Sequence, residues 1–311
     1  MRTPLPTPAP AAAPEQETPR RTVAAWSLPV WAAVLASAAA GLLLDLASAP
    51  VGWWPLTFVS VTVALVALIG RSIGGALLVG TVFGAVFYTT HLVWVGEFLG
   101  PVPWLALAGL EAVLFGAGAV PIALAYRWTA RYPARGLVQL LAVPPLIGVL
   151  WTAREVVMGA WPYSGFPWAR LGMTQVGGPL AEAVSWTSVT GLSLLIVILC
   201  ASVVQWIRAG GIRFMLGLHP AVSVAALLVI APQFPTAPAG EFRVGWVQGN
   251  GPTGYFDDKV PGDVLAAQTA VAQEVAQRPE RFRVRDFHSG VSEAVERVMF
   301  HVAVSELGDG A

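Results

Sequence analysis

Seven stretches of the chain are almost free of polar side chains, and each is close to the ~20 residues that cross a bilayer as a helix. They run Leu28–Leu46, Trp53–Ile69, Ile73–Val95, Pro103–Tyr126, Gly136–Val157, Leu180–Ile207 and Phe214–Ala231. This pattern predicts an all-α polytopic membrane domain of about seven transmembrane helices over residues 22–235. The pair Pro144–Pro145 is expected to kink the fifth span. Residues 1–21 are rich in Pro, Ala and Thr and end in Arg20 and Arg21. They hold too few large apolar side chains to offset chain entropy, and read as a disordered tail. A signal peptide is the competing reading, with Ala47-Ser48-Ala49 as its cleavage box. The 19-residue run from Leu28 to Leu46 is long for a signal core, and Pro50 stands where cleavage would fall.

After Phe242 the pattern changes from long apolar runs to alternation. Phe242–Asn250 alternates and closes in a Gly/Asn turn, as a strand entering a loop does. Gly262–Gln277 reads as a helix with Asp263 near its start, and from Arg278 onward no period is evident. Residues 242–311 are therefore expected to form a short, incomplete α/β segment, too small to stand alone as a domain.

Composition sharpens this division. Of 311 residues, 56% are hydrophobic and 12% charged, against roughly a quarter charged in soluble domains. Residues 22–241 carry 14 charges and residues 242–311 carry 17. Net charge is zero and Lys259 is the only lysine, so no basic tract exists to follow a nucleic acid. The single cysteine, Cys200, excludes a disulfide framework and any CxxC site. No metal site and no cofactor is expected. Arginine sets the orientation. With the N-terminus in the cytoplasm, the inner segments hold Arg2, Arg20, Arg21, Arg71, Arg127, Arg131, Arg135, Arg208 and Arg213, and the outer ones hold only Arg154 and Arg170. That asymmetry follows the positive-inside rule and places residues 242–311 outside.

Several local patterns could carry chemistry. Gly70-Arg71-Ser72-Ile73-Gly74 matches a hydrolase nucleophile elbow, but it lies in a short loop between spans, without the strand that an elbow requires. Cys200 sits deep in an apolar run with no base beside it. Ala76, Gly80 and Gly84 form a small-residue stripe suited to close helix packing. Asp45, Glu97, Glu111 and Glu182 fall in or at the ends of spans, where charge is costly and often functional. Glu111 is equally readable as a proton-labile group and as a buried hydrogen-bonding one. The richest segment contains Trp151, Arg154 and Glu155, then Gly165-Phe166-Pro167-Trp168 and Arg170. It is expected to be an outer loop dipping into the interface, its arginines suited to a phospholipid phosphate and its aromatics to acyl chains. An ordinary stiff loop with an Arg–Glu pair fits these residues equally well.

Trp151 and Glu155, the GFPW run Gly165–Trp168 and Gln175, together with His91–Val95 and the VQGN core of Val244–Asn250, resemble the apolipoprotein N-acyltransferase family. The resemblance covers roughly residues 28–270. It implies an acyltransferase of the bacterial cell membrane that takes an acyl chain from phospholipid. The acceptor is the α-amino group of a lipoprotein's diacylglyceryl-cysteine. It also implies that 242–311 begins the family's extracytoplasmic nitrilase-like domain. Substrate-binding residues are then expected at Trp151, Arg154, Glu155, Gly165, Phe166, Pro167, Trp168 and Arg170. The family's Glu–Lys–Cys triad does not carry over: no cysteine follows Val244, and Lys259 lies too near the opening strand. No catalytic residue is therefore assigned, and this chain is expected to be inactive alone, with a frameshift or early end in the gene as the expected cause. Two alternatives remain, a membrane scaffold for a polyprenol-phosphate mannose synthase and a small multi-helix transporter.

Overall fold

A computed structural model of the chain describes residues 27–131, 136–208 and 260–277, scattered positions between 222 and 258, and the pair 285–286. Its helices are α1 (Val30–Ala47), α2 (Leu56–Leu68), α3 (Ile73–His91), α4 (Val93–Leu99), α5 (Pro101–Arg131), α6 (Gly136–Met158), α7 (Val184–Arg208) and α8 (Asp263–Gln277). Short 3-10 turns occupy Leu171–Gln175 and Ala181–Ala183. Five helices are long and apolar enough to cross a membrane, and α2 is a shorter apolar helix. Each of the first six expected stretches thus holds a helix, with adjusted ends, but the second falls short of span length. The tail 1–21 lies outside the described residues, as does the seventh stretch, Phe214–Ala231, apart from Val222, Ala225 and Ala226.

Local chemistry explains the ends. Gly70 (φ 74°) and Gly100 (φ 87°) take up left-handed backbone where the chain reverses. Ser72 caps α3 by accepting the Gly75 N–H at 3.2 Å, so the serine of the GxSxG match serves as a helix cap. The predicted third span divides at Leu92 into α3 and the short α4. In α7 the backbone breaks at Ser188 (φ 60°, ψ 172°). Pro144 and Pro145 lie inside a helix that runs from Gly136 to Met158.

The bundle is apolar on its outer surface as well as inside. Leu35, Leu77, Leu105, Val113, Val149 and Val156 are exposed, whereas Ser37, Thr57, Ser60 and Ser193 are buried. Such an arrangement suits a hydrocarbon solvent, where backbone and side-chain polar groups must be satisfied internally. Buried serines comply: Ser37 Oγ donates to Val79 O at 2.6 Å and Ser60 Oγ to Ala40 O at 2.7 Å. The most extensive helix pair is α3 against α5. A Cβ on Gly84 would lie 2.7 Å from Ala112 Cα, and one on Gly80 would lie 2.6 Å from Ala119 Cβ. The small-residue stripe is therefore a packing seam.

The bundle has two unlike ends. One, here the loop end, carries α4, the start of α5 and residues 159–183. The C-terminal segment meets it there, since Tyr255 N–H donates to Phe98 O at 2.8 Å. At the opposite end, Arg208 stacks over Tyr126. Of the expected strand Phe242–Asn250, Arg243–Val244 is seen as strand, paired antiparallel with Arg285–Asp286, and most of the remainder lies outside the described residues. The expected helix Gly262–Gln277 appears as α8.

Candidate lipid site

Trp151, Arg154, Glu155 and Met158 follow one another at helical spacing on α6, so all four share the face turned to α3 and α5. Here the structure corrects the sequence reading. Arg154 and Glu155 are not in an outer loop but within a helix, 8% and 7% exposed. The stem of Arg154 lies against Gly118 of α5. Gly118 is 17 residues from Pro101, which is roughly 25 Å along the helix. The Arg154 stem is therefore set well inside the bundle, while Glu155 reaches the Leu171 N–H of the loop end.

Arg154 is held on both faces. Its Cζ lies 3.9 Å from the centroid of Phe115 and 4.8 Å from that of Trp151. Its Nη1 reaches Met158 Sδ at 3.6 Å, and Nη2 is 3.6 Å from Glu155 Oε1. Tyr88 and Glu111 are both close enough to interact electrostatically with the guanidinium. Glu155 Oε1 accepts from Trp151 Nε1 at 3.0 Å and from the Leu171 N–H at 3.2 Å. Three buried polar atoms at this place have no hydrogen-bond partner: Arg154 Nε, Glu155 Oε2 and Arg170 Nε. Such atoms are costly in an apolar setting unless a ligand or water completes them.

Residues 159–175 close the site from the loop end. Gly165 (φ 76°) passes against the backbone of Gly159 and Ala160, where a Cβ would collide. The Phe166 N–H then donates to Met158 O at 2.8 Å. The GFPW run thereby folds back on the end of α6. Trp168 stacks on Phe166 at 6.2 Å and packs on Trp94 of α4 at 5.6 Å, while remaining 49% exposed. Arg170 Nη1 donates to Thr190 Oγ1 at 3.3 Å. Farther along, the Gly172 N–H donates to Ser193 Oγ, and Gln175 Nε2 to Thr57 and Thr174. The result is a cleft with Arg154, Glu155 and Tyr88 at its floor and Phe166, Pro167, Trp168 and Arg170 as its wall.

Of the eight residues expected from the sequence, Arg154, Glu155, Phe166, Pro167, Trp168 and Arg170 line this cleft directly. Trp151 supports Arg154 and Glu155 from behind, and Gly165 shapes the turn. Tyr88, Met158 and Gly118 were missed. Glycine inside an otherwise apolar helix was a readable signal for the last. Also unforeseen is the contact of His91 Nδ1 with Asp45 Oδ1 at 3.1 Å, between α3 and α1. Cys200 lies elsewhere, buried on α7 with Sγ 3.6 Å from Phe58 O. Among the described residues no group of three or more His, Cys, Asp or Glu could hold a metal.

Residues 40–202 match the family described as apolipoprotein N-acyltransferase N-terminal domain. The chain belongs to the apolipoprotein N-acyltransferase family. The apolipoprotein N-acyltransferase of Azotobacter vinelandii is 32% identical over 239 residues, 71% of this chain and 44% of that protein. The protein of the same name from Pseudomonas putida is 30% identical over 242 residues, 71% of this chain and 45% of its own length. That of Mycolicibacterium smegmatis is 28% identical over 230 residues, 68% and 37% of the two chains. The matched region is thus less than half of each relative. Family and apolar helices together make this a bacterial membrane protein.

Proposed function

We propose that the chain is the membrane portion of an apolipoprotein N-acyltransferase, and that the cleft over Arg154 receives the phospholipid acyl donor. In this reading the family's reaction moves an acyl chain from phospholipid to the α-amino group of a diacylglyceryl-cysteine. The observation that carries it is the caged, buried Arg154, which lines one cleft with Arg170, the Nε of each being buried and unpartnered. A phosphodiester completes both as charge-assisted hydrogen bonds. Trp168 and Phe166 supply an apolar wall for the glycerol and the first methylenes. The described residues provide no nucleophile at this place, and Cys200 is shut away on another helix, so the chain binds donor without forming an acyl thioester itself. The loop end faces the outside, an orientation supported by the arginine asymmetry. Phe98 and Tyr255 then share the outer side, and Arg208 lies on the inner one.

The test is retention of a fluorescent phosphatidylethanolamine by the purified full chain. Arg154→Gln keeps a hydrogen-bonding side chain but removes the charge, and is expected to weaken retention roughly tenfold, the worth of one charge-assisted hydrogen bond. Arg154→Lys does not restore it, because an ammonium cannot fill a slot made for a flat guanidinium. Retention unchanged in both variants refutes the assignment of the cleft.

A further inference from the structure

The acidic residues of the membrane portion all lie at one end. Between positions 18 and 240 the sequence contains only Asp45, Glu97, Glu111, Glu155 and Glu182. Asp45 ends α1, Glu97 is in α4, Glu111 is in the first half of α5, Glu155 is near the end of α6, and Glu182 precedes α7. Every one of these places belongs to the loop end or the half of the bundle next to it. The opposite end carries Arg71, Arg127 and Arg208 among the described residues, with no carboxylate of this stretch to balance them.

Two of these arginines are not at the surface: Arg71 is 6% exposed and gives its Nη2 to the Leu28 carbonyl, and Arg208 is buried further. Arg208, in the last turn of α7, is 3% exposed, and its guanidinium carbon lies 5.2 Å from the centroid of Tyr126 on α5. Its Nη1 donates to Gln205 Oε1 at 2.9 Å, a neutral acceptor. Its Nε has no partner, and neither does the hydroxyl of Tyr126, itself 1% exposed. A buried cation without a counter-ion is strongly unfavourable, and a buried unpartnered donor adds to the cost. The position at a helix end, level with the head groups, offers an external anion as the remedy. Basic pockets between helices at such a level bind lipid phosphates.

We propose that Arg208, Tyr126 and Gln205 form a seat for the phosphate of an anionic phospholipid from the leaflet at the arginine-rich end. This site is separate from the cleft over Arg154, from which it is displaced along α5 toward the other end of the bundle. The Arg208 Nε–H and the Tyr126 hydroxyl donate to the phosphate oxygens, and Gln205 holds the guanidinium in place from the other side. The lipid stays intact there and serves as counter-ion to the helix ends.

The full chain, purified in detergent, is titrated with phosphatidylglycerol, phosphatidylcholine or inorganic phosphate, and retained lipid is counted by mass spectrometry of the intact complex. Phosphatidylglycerol is expected to be kept in preference to phosphatidylcholine, with inorganic phosphate unable to displace it. Arg208→Gln should weaken that preference roughly tenfold, the worth of one charge-assisted contact, while Arg127→Gln leaves it intact. Undiminished preference in Arg208→Gln overturns the proposal. Displacement of the lipid by inorganic phosphate overturns the lipid as occupant. Should Arg208→Gln fail to fold, Tyr126→Phe removes one hydroxyl only and is expected to cost about threefold, in line with a single hydrogen bond. Unchanged retention in Tyr126→Phe would then decide against the site.

Discussion

Gly118 leaves a notch on α5 that the aliphatic stem of Arg154 fills, since a Cβ there would overlap Arg154 Cγ and Cδ. The guanidinium is consequently placed between Phe115 and Trp151 rather than free to swing toward the head groups. Gly109, on the same helix, faces open space: a methyl group there would meet nothing within 4 Å. Gly118→Ala is therefore expected to destabilise the chain by about 1–3 kcal/mol, the usual cost of overpacking, and to weaken phospholipid retention along with it. Gly109→Ala is expected to be neutral or to stabilise by about 0.5–1 kcal/mol, as a helix interior prefers alanine. Thermal unfolding in detergent, read beside lipid retention, separates the two. If both variants behave alike, Arg154 is not seated by Gly118. At this scale the sequence was half legible. The residue types of the site stood out because charge is rare in so apolar a chain. The depth of Arg154 did not, because it depends on how far α6 is sunk beside α5, which no spacing along α6 encodes.

The segment from Gly159 to Gln175 behaves as one element although little of it is regular. It is fixed to α6 through the Phe166 N–H, to Glu155 through the Leu171 N–H, to α7 through Gly172 and Arg170, and to α2 through Thr174 and Gln175. Its turn depends on Gly165, where φ is 76° and any side chain meets the backbone of Gly159 and Ala160. Gly165→Ala is expected to cost about 1–3 kcal/mol through backbone strain alone, and to open the wall formed by Phe166 and Trp168. Limited proteolysis of the full chain should then cut between Gly159 and Arg170 several times faster than in the native protein. An unaltered cleavage rate would mean that the turn does not need glycine. The GFPW run was readable as a specific turn next to a membrane. Its anchorage was not, since each partner lies on a helix remote in sequence.

For the molecule as a whole, the Tyr255–Phe98 contact joins the C-terminal segment to the loop end, and the proposed orientation puts both outside. A reporter fused after Gln277 is expected to be active only outside the cytoplasm, and one fused after Arg131 only inside. Equal activity of both fusions on one side would sink this topology. The spans were the most legible feature, because length and apolarity alone suffice to mark a helix that crosses a bilayer. What the pattern hid was the division of the third stretch into α3 and α4. Both halves are equally apolar there, and the break at Leu92 is a matter of packing against α5. The C-terminal segment was legible only at α8. Amphipathic spacing marks a helix locally, but a strand needs a partner, and the observed partner Arg285–Asp286 falls where the sequence showed no period.

The 13 residues of α2 reach roughly 20 Å, about 10 Å short of a typical hydrocarbon core. The shortfall is covered at the loop end by the 3-10 turn Leu171–Gln175, whose Thr174 and Gln175 meet Thr57 in the first turn of α2. Around a span this short a bilayer responds by thinning on that flank. Head groups beside α2 are thereby drawn toward the midplane, into a dimple on the same side as the cleft. In the proposed reading of the cleft, a phospholipid sliding down that slope closes part of its distance to Arg154 while its acyl chains stay within the leaflet.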